Sequence, residues 1–332
     1  MNIDIDSLSA ESTGAQSLWS GHRQAYIVTL DWEAYMRALA VAALLSCIAG
    51  IAPGQVAAAP EKPADGRFDV GNRSIRLSCK GTGAPTVVID GGMGTAPVED
   101  PGWQAIAAQV GSVTRVCLYD RAGLGASDPA PAGPRSSSDA AHDLHAALSA
   151  AEVKGPYLLV GHSIGGLHAQ VFAAQYPAET AGLVLVSSTH PDQVTTWLAL
   201  LPPPAPGEEK AVTEARSFLT SMQTDPSKNE ERLDMRTSAR EARQLTSLGK
   251  KPVIVLTHSP RFRMVPGLSE PIAVRLEDAT QRMQRQFLAL STNARQNVAA
   301  RAGHGLPHEA PAFVVDGILE GVAAVRGHQL RN

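Results

Sequence analysis

Few features of this sequence suit a nucleic-acid partner. The 332 residues carry 29 lysines and arginines against 32 aspartates and glutamates, which gives a formal net charge of −3. No run of basic residues with interleaved aromatic side chains occurs. Because nucleic-acid binders usually present a basic patch or stripe to the phosphate backbone, this absence excludes that class of protein.

Motifs that hold metals or nucleotides are equally scarce. The histidines and carboxylates lack the spacing of a metal site. The glycine-rich stretch at residues 91–94 has neither the G-x-G-x-x-G pattern nor the lysine of a phosphate-binding loop. We therefore expect no metal and no cofactor.

Long hydrophobic runs are also rare, and the one near the N-terminus covers only residues 38–51. A run of this length is too short to cross a bilayer comfortably and suits the core of a signal peptide. The small residues 56–59, directly before Pro60, resemble the A-x-A site that signal peptidase cuts. We therefore expect residues 1–59 to be an N-terminal extension with a signal peptide. Residues 60–332 would then be an exported domain, periplasmic or secreted, without stable membrane insertion.

The first 35 residues fit this interpretation badly, because they contain several acidic residues where a signal peptide begins with a short positive region. We therefore expect Met36 to be the true start. One alternative is a disordered tail followed by an apolar anchor helix. A second alternative is a lipoprotein with a lipidation box at residues 45–47.

Cysteine is scarce, with three residues in the whole chain. Removal of residues 1–59 leaves only Cys79 and Cys117. An even pair of cysteines in an exported protein indicates a disulfide. Two buried thiols are the alternative.

From about residue 67 onward, apolar strands alternate with helices. Predicted strands cover Ser74–Lys80, Thr86–Asp90 and residues 113–119, 157–161, 182–186 and 252–257, and predicted helices cover residues 103–110, 139–151 and 165–176. Strands that alternate with helices form a mostly parallel sheet that is covered on both faces. The sequence therefore predicts an α/β fold with a doubly wound, mostly parallel sheet.

The alternation stops between about residues 188 and 250. This stretch begins with a proline-rich segment at residues 201–207 and continues as charged, helix-like sequence. Bare loops of such length are uncommon in a compact domain. We therefore predict a small helical cap inserted between two strands, with a mobile insertion as the alternative.

The strongest indication of chemistry is the segment Gly161-His162-Ser163-Ile164-Gly165, which follows a predicted strand and precedes a predicted helix. A G-x-S-x-G segment in this context is typical of a nucleophile elbow. The turn is so tight that a side chain at either glycine would clash. It lifts the serine oxygen to the positive end of a helix, where developing negative charge is favoured. Ser163 is therefore the predicted nucleophile.

Together with three further blocks, the elbow resembles the α/β-hydrolase family over residues 70–325, and in particular its small, capped serine hydrolases. The blocks are the glycine loop at residues 87–94, the Tyr-Asp-Arg-x-Gly-x-Gly-x-Ser-Asp loop at residues 119–128, and Gly303-His304 followed by Glu309 and Pro311. The resemblance implies an α/β-hydrolase fold with a serine nucleophile. It also implies that Cys79 and Cys117 lie on neighbouring strands, which supports the disulfide.

The same resemblance assigns the other groups of the site. His304 is the expected base because it completes the family order of serine, acid and histidine, with His308 as its rival. The expected oxyanion hole consists of the backbone N–H groups of Met93 and Ile164.

The acid is where this sequence departs from the family. An aspartate or glutamate usually follows the seventh strand, yet residues 257–260 offer none, and the alternative position after the sixth strand holds Ser187. Asp192 is the first candidate, and Glu270, Glu277 and Asp278 come behind it. Without a carboxylate that reaches the histidine, activity would be low.

These features predict a serine hydrolase that cleaves a carboxylic ester, or a related acyl bond, of a small molecule through an acyl-enzyme. The apolar residues of the cap would form its pocket or pack onto the core; they are Trp197, Leu198, Leu200 and Leu201. A serine at the elbow argues against the dehalogenases and epoxide hydrolases of the same fold, which need a carboxylate nucleophile. Alternatives are a peptidase, a carbon–carbon bond hydrolase, an acyltransferase, or a hydrolase-like binding protein with degenerate catalysis.

Overall fold

The computed structural model describes residues 64–329, so the predicted signal peptide and its cleavage site lie outside the described residues. The strands are β1 (Asp65–Asp69), β2 (Ser74–Lys80), β3 (Thr86–Asp90), β4 (Val116–Asp120), β5 (Tyr157–His162), β6 (Thr180–Val186), β7 (Val253–Thr257) and β8 (Ala294–Val298). They form one 8-stranded sheet in the order β1-β2-β4-β3-β5-β6-β7-β8. β2 runs antiparallel to both of its neighbours, and all pairs from β4 to β8 are parallel.

Helices cover both faces of this sheet. They are α1 (Pro101–Val110), α2 (Ser137–Ala150), α3 (Ile164–Gln175), α4 (Gln193–Leu200), α5 (Lys210–Thr224), α6 (Met235–Ala242), α7 (Glu270–Gln286), α8 (Leu306–Glu309) and α9 (Pro311–Gln329). The apolar side chains of α1 and α9 pack on one face, and those of α2 and α3 pack on the other. The central strands β3, β4, β6 and β7 are therefore buried at every position, and the predicted α/β fold is confirmed.

The predicted helical cap is also present, because α4, α5 and α6 all lie between β6 and β7. Trp197 and Leu219 belong to an apolar cluster that also includes Leu276 and Met283 of α7. The sequence did not predict α7, which follows β7. This helix packs its apolar side chains against those of the cap.

One predicted strand begins too early. The sequence predicts a strand from residue 113 onward, but β4 starts at Val116. Val113 instead belongs to the turn after α1, because its N–H donates to the carbonyl oxygen of Val110 at 3.0 Å. Its side chain is 44% exposed.

A disulfide joins Cys79 of β2 to Cys117 of β4, as predicted. The two residues stand directly opposite each other in the antiparallel register, with their Cα atoms 4.0 Å apart. The bridge therefore ties the antiparallel edge of the sheet to its parallel centre.

None of the helices within residues 64–329 has both the length and the hydropathy to cross a bilayer.

Candidate active site

Ser163 lies in the tight turn between β5 and α3, with φ of 52° and ψ of −120°. A Cβ atom at Gly161 would lie 2.4 Å from the Cα of Gly166, and one at Gly165 would lie 2.4 Å from the carbonyl oxygen of Asp90. Both gaps are far below an ordinary carbon contact, so the turn requires glycine at both positions. The left-handed φ of a serine is a strained conformation of the kind that clusters at active sites.

The groups expected to form the oxyanion hole lie beside this serine. Ile164 is the first residue of α3, where backbone N–H groups have no partner within the helix. Met93, Ser163 and Ile164 line the same cavity. A Cβ atom at Gly92 would lie 3.6 Å from the Cβ of Ser163, so the glycine loop packs closely on the nucleophile.

Arg121 holds the glycine loop in this position. Its Nη1 and Nη2 atoms donate to the carbonyl oxygens of Gly91 and Gly92 at 2.8 and 2.6 Å. Its Nε donates to Glu231 at 2.6 Å, and the N–H of Gly94 donates to the same carboxylate at 3.0 Å. A residue of the cap segment therefore fixes the loop that carries Met93.

This arrangement is a buried ion cluster, since Arg121 also pairs with Asp90. Burial alone would raise the pKa of Glu231, but the charge and hydrogen bonds of Arg121 outweigh it and hold the pKa at about 2. Burial alone would lower the pKa of Arg121, but Glu231 and Asp90 raise it well above its usual value. Glu231 could not be predicted from the sequence, because it is far from the glycine loop along the chain and their contact depends on the fold.

His304 lies in the loop between β8 and α8, where its backbone oxygen accepts a hydrogen bond from Nε2 of His162 at 2.9 Å. Burial, together with the nearby His162 and His258, lowers the pKa of His304 to about 3. The imidazole is therefore neutral near pH 7, as a general base must be. Its rival, His308, is exposed and contacts Asp100 at 3.0 Å.

A path of hydrogen bonds leads away from His304. Its Nδ1 lies 2.8 Å from Oγ of Ser187, and that oxygen lies 2.7 Å from Nδ1 of His258. Nε2 of His258 lies 3.0 Å from Oε1 of Glu277. We call His304, Ser187, His258 and Glu277 the polar chain. Its last three members are all buried.

The structure does not bring Asp192 to His304. Asp192 precedes α4 at the surface, where Nε of Arg243 donates to its carboxylate at 3.0 Å. Its side chain is 51% exposed. Glu270 pairs with Arg263 in a similarly exposed position, and Asp278 is exposed on α7. Of the carboxylates considered from the sequence, Glu277 therefore ends the path from His304, and Asp192 lies outside it.

Ser187 and His258 were undervalued in the sequence, although both occupy positions where the resemblance implies an acid. Ser187 follows β6 and His258 follows β7, so neighbouring strands deliver them to the same edge of the sheet. Glu277 and Gln281 are four residues apart on α7 and therefore face the same side of that helix. The signal available in the sequence was the presence of polar residues, Ser187 and His258, at the two positions where the family places its acid.

The cavity at Ser163 has a volume of about 270 Å³ and lies beneath the cap. Its polar lining residues, Ser163, Thr189 and Gln193, are uncharged. The others are apolar, and they are Met93, Ile164, Val194, Trp197, Ala215, Phe218, Leu219, Met222, Met235, Met264 and Val265. Of the apolar residues expected from the cap, Trp197 lines the cavity, and Leu201 is buried in the cap's apolar cluster.

Comparison with known proteins agrees with this geometry. Residues 85–305 match the family model described as alpha/beta hydrolase fold. The uncharacterized protein YqjL of Bacillus subtilis is 27% identical over 235 residues, which cover 71% of this chain and 82% of that protein. An uncharacterized protein of Schizosaccharomyces pombe is 47% identical over 76 residues, which cover 23% of this chain but only 14% of that protein.

Solved structures share the fold at low identity. One described as a thermophilic esterase from Thermogutta terrifontis, with malate bound, has a TM-score of 0.51 and 20% identity. The match covers 78% of this chain and 98% of that chain. At this identity the likeness shows the fold alone, because one fold carries many different functions.

Proposed function

Since the chain belongs to the α/β-hydrolase fold family, we propose that it is a serine hydrolase that cleaves uncharged carboxylic esters through an acyl-enzyme. The observation that carries this proposal is the position of Ser163. It lies in a strained elbow at the start of α3, and it lines a cavity that has no charged lining residues.

In the proposed reaction, Oγ of Ser163 attacks the ester carbonyl while Nε2 of His304 takes its proton. The backbone N–H groups of Met93 and Ile164 stabilise the oxyanion of the tetrahedral intermediate. His304 then gives the proton to the departing alcohol, which leaves an acyl group on Ser163. Water, activated by the same histidine, releases the acid.

The size and the lining of the cavity suit an uncharged acyl group of short to medium chain length. Its volume of about 270 Å³ lies just below the roughly 300–1,000 Å³ of pockets for drug-sized ligands. Four of its lining residues are methionines, whose flexible side chains adapt to irregular apolar groups. A charged acyl group would lose its hydration here without gaining an ionic partner from the lining.

The test is a series of p-nitrophenyl esters, from acetate to decanoate, with the purified domain from Pro60. We expect turnover that peaks at short to medium chain lengths. Ser163→Ala and His304→Ala should each lower kcat by at least about three orders of magnitude. Asp192→Asn is the matched control and should retain wild-type activity, because its carboxylate is engaged by Arg243 at the surface.

The absence of turnover, together with no labelling of Ser163 by a fluorophosphonate, would contradict the proposal. A hydrolase-like binding protein would then be the better interpretation. Circular dichroism of each variant separates a loss of chemistry from a loss of fold.

A further inference from the structure

We propose that Glu277 sets the protonation state of His304 through His258 and Ser187, so that a relayed acid replaces the direct carboxylate of a serine-histidine-acid triad. This inference rests on the proposed function of Ser163 and His304. It assigns Ser187, His258 and Glu277 as positioning residues, because none of them touches the reacting atoms.

The polar chain is continuous and enclosed. Its three links measure 2.8, 2.7 and 3.0 Å, all within the ordinary range for hydrogen bonds. Ser187, His258 and Glu277 are at most 3% exposed. Water therefore has little access to the three links, and within the described residues Oε2 of Glu277 has no hydrogen-bond partner.

Rigid elements hold each member in place. The N–H of Ser187 donates to the carbonyl oxygen of Leu256 at 2.7 Å, which fixes this residue to β7. Nε2 of Gln281 donates to Oε1 of Glu277 at 2.7 Å and lies 3.1 Å from the carbonyl oxygen of His258. Gln281 therefore locks the carboxylate beside the imidazole that it contacts.

An ionised Glu277 gives the hydrogen bonds one direction, because a carboxylate can only accept. Nε2–H of His258 must then donate to Glu277, which leaves Nδ1 of His258 as an acceptor. Ser187 donates its hydroxyl proton to that nitrogen, and its oxygen accepts from Nδ1–H of His304. His304 is thereby held with its proton on Nδ1, and its Nε2 is free to accept the proton of Ser163.

Without a carboxylate at position 277, the same chain can run in the reverse direction. Ser187 would then donate to Nδ1 of His304, and the imidazole would carry its proton on Nε2. A histidine in that state cannot serve as a base for Ser163. Loss of the correct tautomer is a severe defect in serine hydrolases even when the geometry is kept.

The chain also offers a place for the charge that forms during the reaction. The proton of Ser163 binds Nε2 of His304 as the serine oxygen forms its bond to the carbonyl carbon. Nδ1–H of His304 can pass to Oγ of Ser187 while the hydroxyl proton of Ser187 passes to Nδ1 of His258. The positive charge then lies on His258, next to the carboxylate of Glu277, and every proton is accounted for.

This transfer counteracts an unfavourable environment at His304. Burial and the two neighbouring histidines disfavour a charge on this ring, as its lowered pKa reflects. Nε2 of His258 lies 3.0 Å from Oε1 of Glu277. A charge on His258 is therefore stabilised by a buried carboxylate, where electrostatic attraction is stronger than in water.

The first test measures Glu277→Gln and Ser187→Ala on the preferred ester. Each should lower kcat about 100-fold and leave KM unchanged, because the substrate touches neither residue. The double variant should be no slower than Ser187→Ala alone, since both changes break one chain. Glu270→Gln is the matched control, because it removes an exposed carboxylate from the same helix and should leave kcat unchanged.

The second test bypasses the relay. Ser187→Asp places a carboxylate directly beside Nδ1 of His304, and aspartate tolerates the positive φ of 41° at this position better than most residues. We expect Glu277→Gln to have little effect on kcat in this background. A kcat that falls equally in both backgrounds would assign Glu277 a merely structural role and overturn the inference.

A third measurement does not depend on turnover. Nitrogen-15 NMR of the wild type at neutral pH should show His304 protonated on Nδ1 and His258 on Nε2. His304 protonated on Nε2, or wild-type kcat in Glu277→Gln, would overturn the relay. Failure of Ser163 to react with a fluorophosphonate would instead overturn the proposed function, and the NMR result would still decide the relay.

Discussion

Among single residues, burial lowers the pKa of several histidines and so does not by itself single out the base. Burial lowers the pKa of His162 to about 4 and that of His304 to about 3. His168, which contacts Ser137 at 2.9 Å, is also lowered to about 4 by burial. The sequence could identify His304 only through its family block. The sequence alone does not show which histidines are buried.

The lowered pKa of His304 predicts an unusual pH profile. The folded enzyme favours the neutral ring, so His304 remains a competent base well below its ordinary pKa of about 6.5. We expect kcat/KM to stay nearly constant from about pH 8 to about pH 5. Initial rates measured directly after dilution into each buffer check this, and an acid limb centred near pH 6.5 would contradict it.

The dilution must be brief because the same shifts affect stability. The unfolded chain binds protons at these histidines below about pH 6.5, and the folded chain resists them until the pH falls much further. Their contribution to stability is therefore present above pH 6.5 and is lost as the pH falls toward their folded values. Unfolding during the assay would mimic an acid limb, so fluorescence is recorded in parallel.

The local sequence was sufficient to identify Ser163 as the nucleophile, but it was not sufficient to identify Glu277 as the end of the polar chain. The elbow is set by steric exclusion at Gly161 and Gly165, which are close neighbours of the serine in the chain. The polar chain instead draws its members from the ends of β6 and β7 and from α7. Their meeting depends on strand order and helix placement, which the residue pattern does not carry.

At the scale of elements, the cap shapes the cavity at Ser163. Phe218 of α5 lines the cavity although it is 60% exposed, so it forms part of the pocket's outer wall. Met222 lies one turn further along the same helix and also lines the cavity. The sequence indicated a helical cap from the interruption of the strand-helix alternation. It could not indicate which face of α5 points toward Ser163.

Phe218→Ala should open this wall and shift the preference toward longer acyl chains. The ratio of kcat/KM for decanoate to that for butyrate should rise at least about tenfold, because even one additional methylene bound in an apolar pocket changes kcat/KM by about that factor. Stability should change little because the ring is largely exposed. Val113→Ala, which truncates an exposed residue in the turn after α1, is the control. An unchanged ratio would show that the bound acyl chain extends in another direction and does not contact Phe218.

For the whole molecule, strand-helix alternation was enough to predict a mostly parallel sheet covered on both faces, but not the order of its strands. It could not predict the start of β4, because Val113 is apolar and yet lies in an exposed turn. The disulfide between β2 and β4 joins residues 38 positions apart. We propose that the protein acts after export, in an oxidising compartment where such a disulfide persists.

Loss of that disulfide should lower stability while leaving the site intact. The double variant Cys79→Ala and Cys117→Ala should lose about 2–4 kcal/mol of unfolding free energy, since the unfolded chain is no longer constrained. Urea unfolding followed by fluorescence measures this. Neither cysteine lines the cavity, so kcat at low temperature should be preserved. Equal midpoints for the double variant and the wild type would contradict the expected stabilisation.

The account as a whole depends on Ser163 being an activated nucleophile. The most direct measurement is peptide mass spectrometry after treatment of the wild type with a fluorophosphonate, beside Ser163→Ala. We predict a single phosphonyl adduct on Ser163 and none on the variant. An unmodified Ser163, or an adduct that persists in Ser163→Ala, would contradict the assignment of this serine as the nucleophile.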